Sequence, residues 1–165
     1  MKKIFLIFFI FTIIQAKNLS IGINDSSSRT FEGCLTEICN ESKTISTAFN
    51  IGFSKGVYQY NNNKSYVDLG LSYYILPISN NSDLGIFSFY TLQSYKLKNE
   101  LKISFPLGFS VLNKGTKNRG LNYGISLEYQ INEFISFGAS NLTFSFDNKD
   151  LKIKNNILFM SFNIF

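Results

Sequence analysis

Apolar and polar residues alternate one by one along most of this chain. In LNYGISLEYQINEFISFGAS, residues 121–140, one phase holds Leu121, Tyr123, Ile125, Leu127, Tyr129 and Ile131, and the other holds Asn122, Gly124, Ser126, Glu128 and Gln130. After Asn132-Glu133 the alternation resumes with Ile135, Phe137 and Ala139. A period of two marks a strand with two unlike faces, and so short a break marks a hairpin. Opposed residues in a hairpin face the same way, and the apolar set is odd-numbered on both strands. The connection must therefore be odd in length, such as Asn132-Glu133-Phe134, or carry a bulge.

The same reading predicts eight strands, at Leu19–Asn24, Ile45–Tyr58, Tyr66–Leu76, Leu84–Leu92, Leu97–Leu112, Leu121–Ile131, Phe134–Phe146 and Ile153–Phe165. The third and fifth alternate cleanly, whereas LGIFSFYTL in the fourth is apolar in both phases and has no readable orientation. Pro106 interrupts the fifth strand and removes a ladder donor, so a bulge or a bound water is expected there. Lys55 falls in the apolar phase of its strand; either it snorkels, or a bulge at Ser54–Gly56 turns it inward. A long polar segment, Asp25–Thr44, follows the first strand, and later connections include NKGTKNRG and the tight NE.

The first residues, MKKIFLIFFIFTIIQAKN, have the layout of a secretory signal peptide: two lysines, an apolar run from Ile4 to Ile14, and a small residue at Ala16. The run is too short to span a bilayer as a helix. Cleavage is expected after Ala16, leaving residues 17–165 as one domain of 149 residues. Export changes two further readings. Without Lys2 and Lys3 the net charge falls from +5 to +3, which gives no reason to expect nucleic acid as a partner. Cys34 and Cys39, in GCLTEIC, would meet an oxidising compartment, and a small disulfide loop is expected; the metal alternative is weak in a chain with no histidine.

The medium that takes the apolar face decides the fold. A soluble lipocalin-like cup binding an apolar ligand would turn that phase inward and would need a charged outer phase. Here the other phase is mostly Gly, Ser and Asn, which suits the crowded interior of a narrow barrel. Leu, Ile, Phe and Tyr in the apolar phase suit lipid, with aromatics near the headgroups. The expected fold is all-β: an eight-stranded antiparallel up-and-down transmembrane β-barrel, closed because no open strand edge survives in hydrocarbon.

The chain ends NNILFMSFNIF, in which Leu158, Met160, Phe162 and Ile164 alternate before the terminal Phe165. This end resembles the C-terminal signal of outer-membrane barrels, read by the barrel-assembly machinery. With the signal peptide and eight strands, the chain resembles the small bacterial outer-membrane barrels typified by OmpX and the OmpA membrane domain. The resemblance implies the outer membrane as location, lipid and lipopolysaccharide as surroundings, and Phe165 as an assembly signal.

Barrels of this kind include lipid A-modifying enzymes that depend on histidine, and this chain has none. No metal-ligand cluster, phosphate-cradling loop or catalytic set stands out, so no cofactor and no enzymatic role are expected. Three functions remain: adhesion or another surface interaction through the outer loops, a structural role in the membrane, or, more weakly supported, small non-specific solute flux. Lys114, Lys117 and Arg119 are expected at the outer rim, within reach of lipopolysaccharide phosphates. Asp68, Glu100, Lys102 and Glu128 all fall in the inward phase near the periplasmic end, and are expected to form an interior charge cluster.

Overall fold

The structure, a computed structural model, describes residues 17–24, 29–32, 47–60, 64–79, 82–113, 119–146 and 151–164, and of 29–32, 78–79 and 82–83 the backbone alone. Nine strand segments follow one another: β1 (Asn18–Asn24), β2 (Arg29–Glu32), β3 (Ala48–Gln59), β4 (Ser65–Ser79), β5 (Ser82–Lys96), β6 (Leu101–Leu112), β7 (Arg119–Gln130), β8 (Ile135–Phe146) and β9 (Lys152–Asn163). From β3 onward each is antiparallel to the next, and β1 joins β3 on one side and β9 on the other. The sheet closes on itself through the β1–β9 pairing, while β2 pairs with β9 alone. Strands of 12 to 15 residues from β3 to β9 exceed the 9–11 needed to cross a bilayer.

The wall has eight positions, because β1 and β2 share one. Ile23 lies opposite Leu158 and Arg29 opposite Asn155, so β2 continues along β9 where β1 stops. This corrects the expected loop from Asp25 to Thr44: four of its residues return to the wall. The tight hairpin has the odd connection that its phase demands. Ile131 donates its backbone N–H to the Ile135 carbonyl at 2.9 Å, leaving Asn132-Glu133-Phe134 as the turn. Asn132 Oδ1 accepts from the backbone N–H groups of Phe134 and Ile135, both at 2.8 Å, which holds the turn closed.

Two sequence features left a bulge as one of two alternatives, and in neither is that bulge found. Pro106 causes no bulge: Ser104 pairs with Ser126 and Leu107 with Tyr123 in unchanged register, and Phe105 and Pro106 simply drop out of the ladder to β7. Proline has no N–H to offer, so the ladder opens over two residues instead of slipping. The bulge near Lys55 falls at Val57, between Gly56 and Tyr58, too late to turn Lys55 inward. Lys55 stays opposite Leu69 on the outward face.

The outward face is apolar almost all round. Leu107, Phe109, Leu121, Ile125, Leu127, Phe137 and Leu158 are each between 45 and 67 % exposed, a loss that water would penalise and hydrocarbon does not. Tyr95, Tyr129 and Phe134 cluster toward the end of the barrel that carries the short turns, where an aromatic girdle meets lipid headgroups.

Candidate functional site

The interior divides into two unlike halves. We call the end with turns 97–100 and 132–134 the turn end, and the other the loop end. At the loop end, Leu76, Leu84, Ile86, Leu112, Phe144 and Ile153 are fully buried and form one apolar cluster. The Tyr74 and Phe144 rings meet edge to face at 5.1 Å. This plug is an apolar part of an interior read from the sequence as mostly Gly, Ser and Asn, and it orients β5. Tyr74 pairs with Ile86 and Leu76 with Leu84, so the even residues of β5 point inward. Both phases of β5 read as apolar because one faces lipid and the other faces the plug. Within the plug Asn155 is 1 % exposed; its Oδ1 accepts from Asn24 Nδ2, tying β1 to β9 where β1 ends.

A polar layer follows below the plug. The Ser88 and Ser110 hydroxyls are 2.7 Å apart, and Asn122 Nδ2 donates to Ser110 Oγ at 2.7 Å. Below this layer the barrel is hollow. A cavity of about 840 Å³ opens at the turn end, walled by Ser and Asn from most strands and by the aromatic rings of Tyr66, Tyr74, Tyr90 and Phe159. Large side chains fit because glycine faces them. Tyr90 lies opposite Gly70 and Phe159 opposite Gly138, and a Cβ on either glycine would lie 2.4–2.5 Å from the ring.

Three of the four predicted interior charges meet in this cavity. Lys102 and Glu128 are directly opposed across β6 and β7, and Lys102 Nζ stands 2.6 Å from Glu128 Oε2. Lys102 Nζ also lies 5.9 Å from the Tyr66 ring centroid. Asp68 is 4 % exposed and lines the same cavity; the charges that act on it are those of Lys102 and Glu128. Glu100 is the exception. It sits in the exposed turn before β6 and borders only the mouth of the cavity, because β6 begins at Leu101 rather than Leu97.

Of the other predicted residues, Arg119 starts β7 at the loop end, exposed and opposite Val111. Lys114, Lys117, Cys34, Cys39 and Phe165 lie outside the described residues. Among the described residues no group of His, Cys, Asp and Glu is placed to hold a metal. The tyrosine-over-glycine cavity wall escaped the sequence reading, because Gly70 and Tyr90 lie on different strands and meet only through the β4–β5 register.

Replacing Lys102 with methionine would leave Asp68 and Glu128 without a cation between them. Breaking a dry ion pair costs about 3–5 kcal/mol, but Lys102 and Glu128 keep 18 and 15 % exposure toward the cavity. A loss nearer about 1–3 kcal/mol is expected, read by urea unfolding in lipid vesicles. Adding Glu128→Gln should recover most of it; equal stability of Lys102→Met and the unaltered chain would mean the pair contributes nothing.

No family model matches this chain, and no curated protein matches it. Solved structures do. The crystal structure of Ail, the attachment invasion locus protein of Yersinia pestis, aligns over 89 % of this chain and 98 % of its own, at TM-score 0.59 and 15 % identity. The N-terminal β-barrel domain of Pseudomonas aeruginosa OprF aligns over 89 and 97 %, at TM-score 0.54 and 14 % identity. The outer-membrane enzyme PagL aligns over 87 % of this chain and 97 % of its own, at TM-score 0.51 and 16 % identity. A closed antiparallel barrel of eight wall positions, apolar outside, is the fold of the small outer-membrane β-barrels, and this chain has that fold.

Proposed function

We propose that this chain is a non-conducting barrel of the bacterial outer membrane that acts by surface interaction through its outer loops. One observation carries the reading: the loop end of the interior is packed shut by Leu76, Leu84, Ile86, Leu112, Phe144 and Ile153, so among the described residues no aqueous path runs through the barrel. What the protein does outside then falls to the segments beyond the strands. Even strand parity puts the start of β1 and the end of β9 at the turn end, which is the periplasmic side in bacterial barrels, and the opposite strand ends outside. In this reading residues 1–16 are a cleaved signal peptide, Phe165 serves the assembly machinery, and Cys34 and Cys39 close a disulfide within the outer segment.

Lys114, Lys117 and Arg119 supply three cations within six residues at the outer rim, suited to phosphate or sulfate groups. Ail has been crystallised with the heparin analogue sucrose octasulfate, and an anionic polysaccharide is a fitting probe here too. PagL shows that this fold carries an enzyme, but no catalytic role is proposed for a chain with no histidine. A purely structural role is the second reading.

Two variants separate them: residues 33–44 replaced by a short Gly-Ser linker, which leaves β2 in place, and Lys114→Gln, Lys117→Gln and Arg119→Gln together. Both should keep heat-modifiable migration in the membrane fraction, and at least one should lose retention on immobilised heparin. Retention unchanged in both, or absent from the unaltered protein, would sink the surface reading and leave the structural one.

A further inference from the structure

We propose that the interior cup is a binding site, entered from the periplasmic side, for a small organic ammonium compound with an apolar or aromatic tail. The site is at the opposite end from the outer loops, so it stands or falls independently of the surface reading.

The cup has the two parts such a ligand needs. The neck is charged and its charge is unbalanced. Lys102 is committed to Glu128 at 2.6 Å, and Asp68, 96 % removed from solvent, has no hydrogen bond or ion pair among the described residues. A carboxylate so enclosed, attracted by Lys102 only from beyond contact distance and repelled by Glu128, is costly, and an incoming cation would lower that cost. Asp68 and Glu128 together outnumber Lys102 there. Among the residues that line the mouth, Lys17 and Lys96 are matched by Glu100 and Glu133; Lys64 and Lys98 stand at the same end outside that lining.

Beyond Asp68 aromatic and apolar groups join the Ser and Asn of the wall, among them the buried Ser72. Tyr90 is two strand positions further in than Asp68's partner Leu92, and Leu142, Ile157 and Tyr74 line the chamber toward the plug. Tyrosine ring faces attract cations as well as apolar groups. A ligand entering tail first would seat its tail against Tyr74, Leu142 and Ile157 and its ammonium beside Asp68. The plug above fixes the depth. The volume, about 840 Å³, lies in the range of small-molecule sites and leaves room for a ligand beyond a single water file.

Benzylamine is a suitable probe, with benzyl alcohol as its uncharged counterpart. The full-length barrel, folded in nanodiscs, is titrated with each and followed by NMR at the amides of Asp68, Tyr90 and Leu142. Saturable shifts at these three sites are expected for benzylamine. Asp68→Asn, which keeps the shape, should weaken binding by about tenfold or more, as loss of one partner of an enclosed charge pair does. Glu128→Gln, which frees Lys102 to turn to Asp68, should weaken it too. Benzyl alcohol should bind more weakly than benzylamine. The proposal is overturned if benzylamine produces no saturable shift, if benzyl alcohol matches it, or if Asp68→Asn binds as tightly as the unaltered barrel. Should Asp68→Asn fail to fold, Glu128→Gln decides by the same criterion.

Discussion

Arginine in place of Leu107 should destabilise the barrel in a phospholipid bilayer by about 2–4 kcal/mol, the cost of a cation on the lipid face at mid-depth. Leu107 is the seventh of the twelve residues of β6 and is 55 % exposed on the outward face. If that face met water, the same substitution at so exposed a position would change stability by no more than about 0.5 kcal/mol. The measurement therefore reports the medium directly. Leu97, 50 % exposed in the turn after β5, is the internal control. Arginine there lies at the interface and should cost only about 0–1 kcal/mol. Equal, small effects at both positions, measured by reversible unfolding from vesicles, would contradict a lipid-facing wall.

Phe144→Ala should cost about 3–5 kcal/mol, the usual loss for a fully buried aromatic. Phe144 is 0 % exposed, sits at the centre of the plug and meets Tyr74 edge to face. Truncation removes that contact and leaves a cavity that neighbours on a closed, hydrogen-bonded wall are poorly able to fill. Phe109 provides the contrast. It is the same residue type, 67 % exposed on the outward face, where lipid chains flow into the space that alanine leaves. Phe109→Ala should therefore cost clearly less. A loss at Phe144 no greater than at Phe109 would mean that the plug is not a packed core.

How much of this was legible beforehand depends on contrast between the two faces. In β6 and β7 lipid lies outside and a polar cup or serine layer inside, so the alternation of Leu121 to Gln130 reads directly as wall orientation. The ion pair followed from the same logic, since Lys102 and Glu128 share the inward phase at matching heights. Contrast vanishes at the plug. Ile86 faces packed side chains and Phe87 the outward side, both media select apolar residues, and the period of two disappears from β5. Glu100 was misplaced for another reason: the apolar Leu97 looked like a strand start, whereas Leu97 and Leu101 close the turn by a backbone bond of 2.8 Å. The segment β2 carried no readable signal, because four residues are too few to establish a period.

The plug also bears on the chain before it folds. A barrel strand that is polar on one face interrupts its own hydrophobicity at every second residue. Strands that serve the plug lose this protection: LGIFSFYTL in β5 has Leu84, Ile86, Phe87, Phe89 and Tyr90 within seven residues, and β8 runs Leu142-Thr143-Phe144. Such short, uncharged, strand-forming stretches associate readily when exposed. The packing that seals the finished barrel thus makes the unfolded chain dependent on being shielded from its own copies until closure is complete.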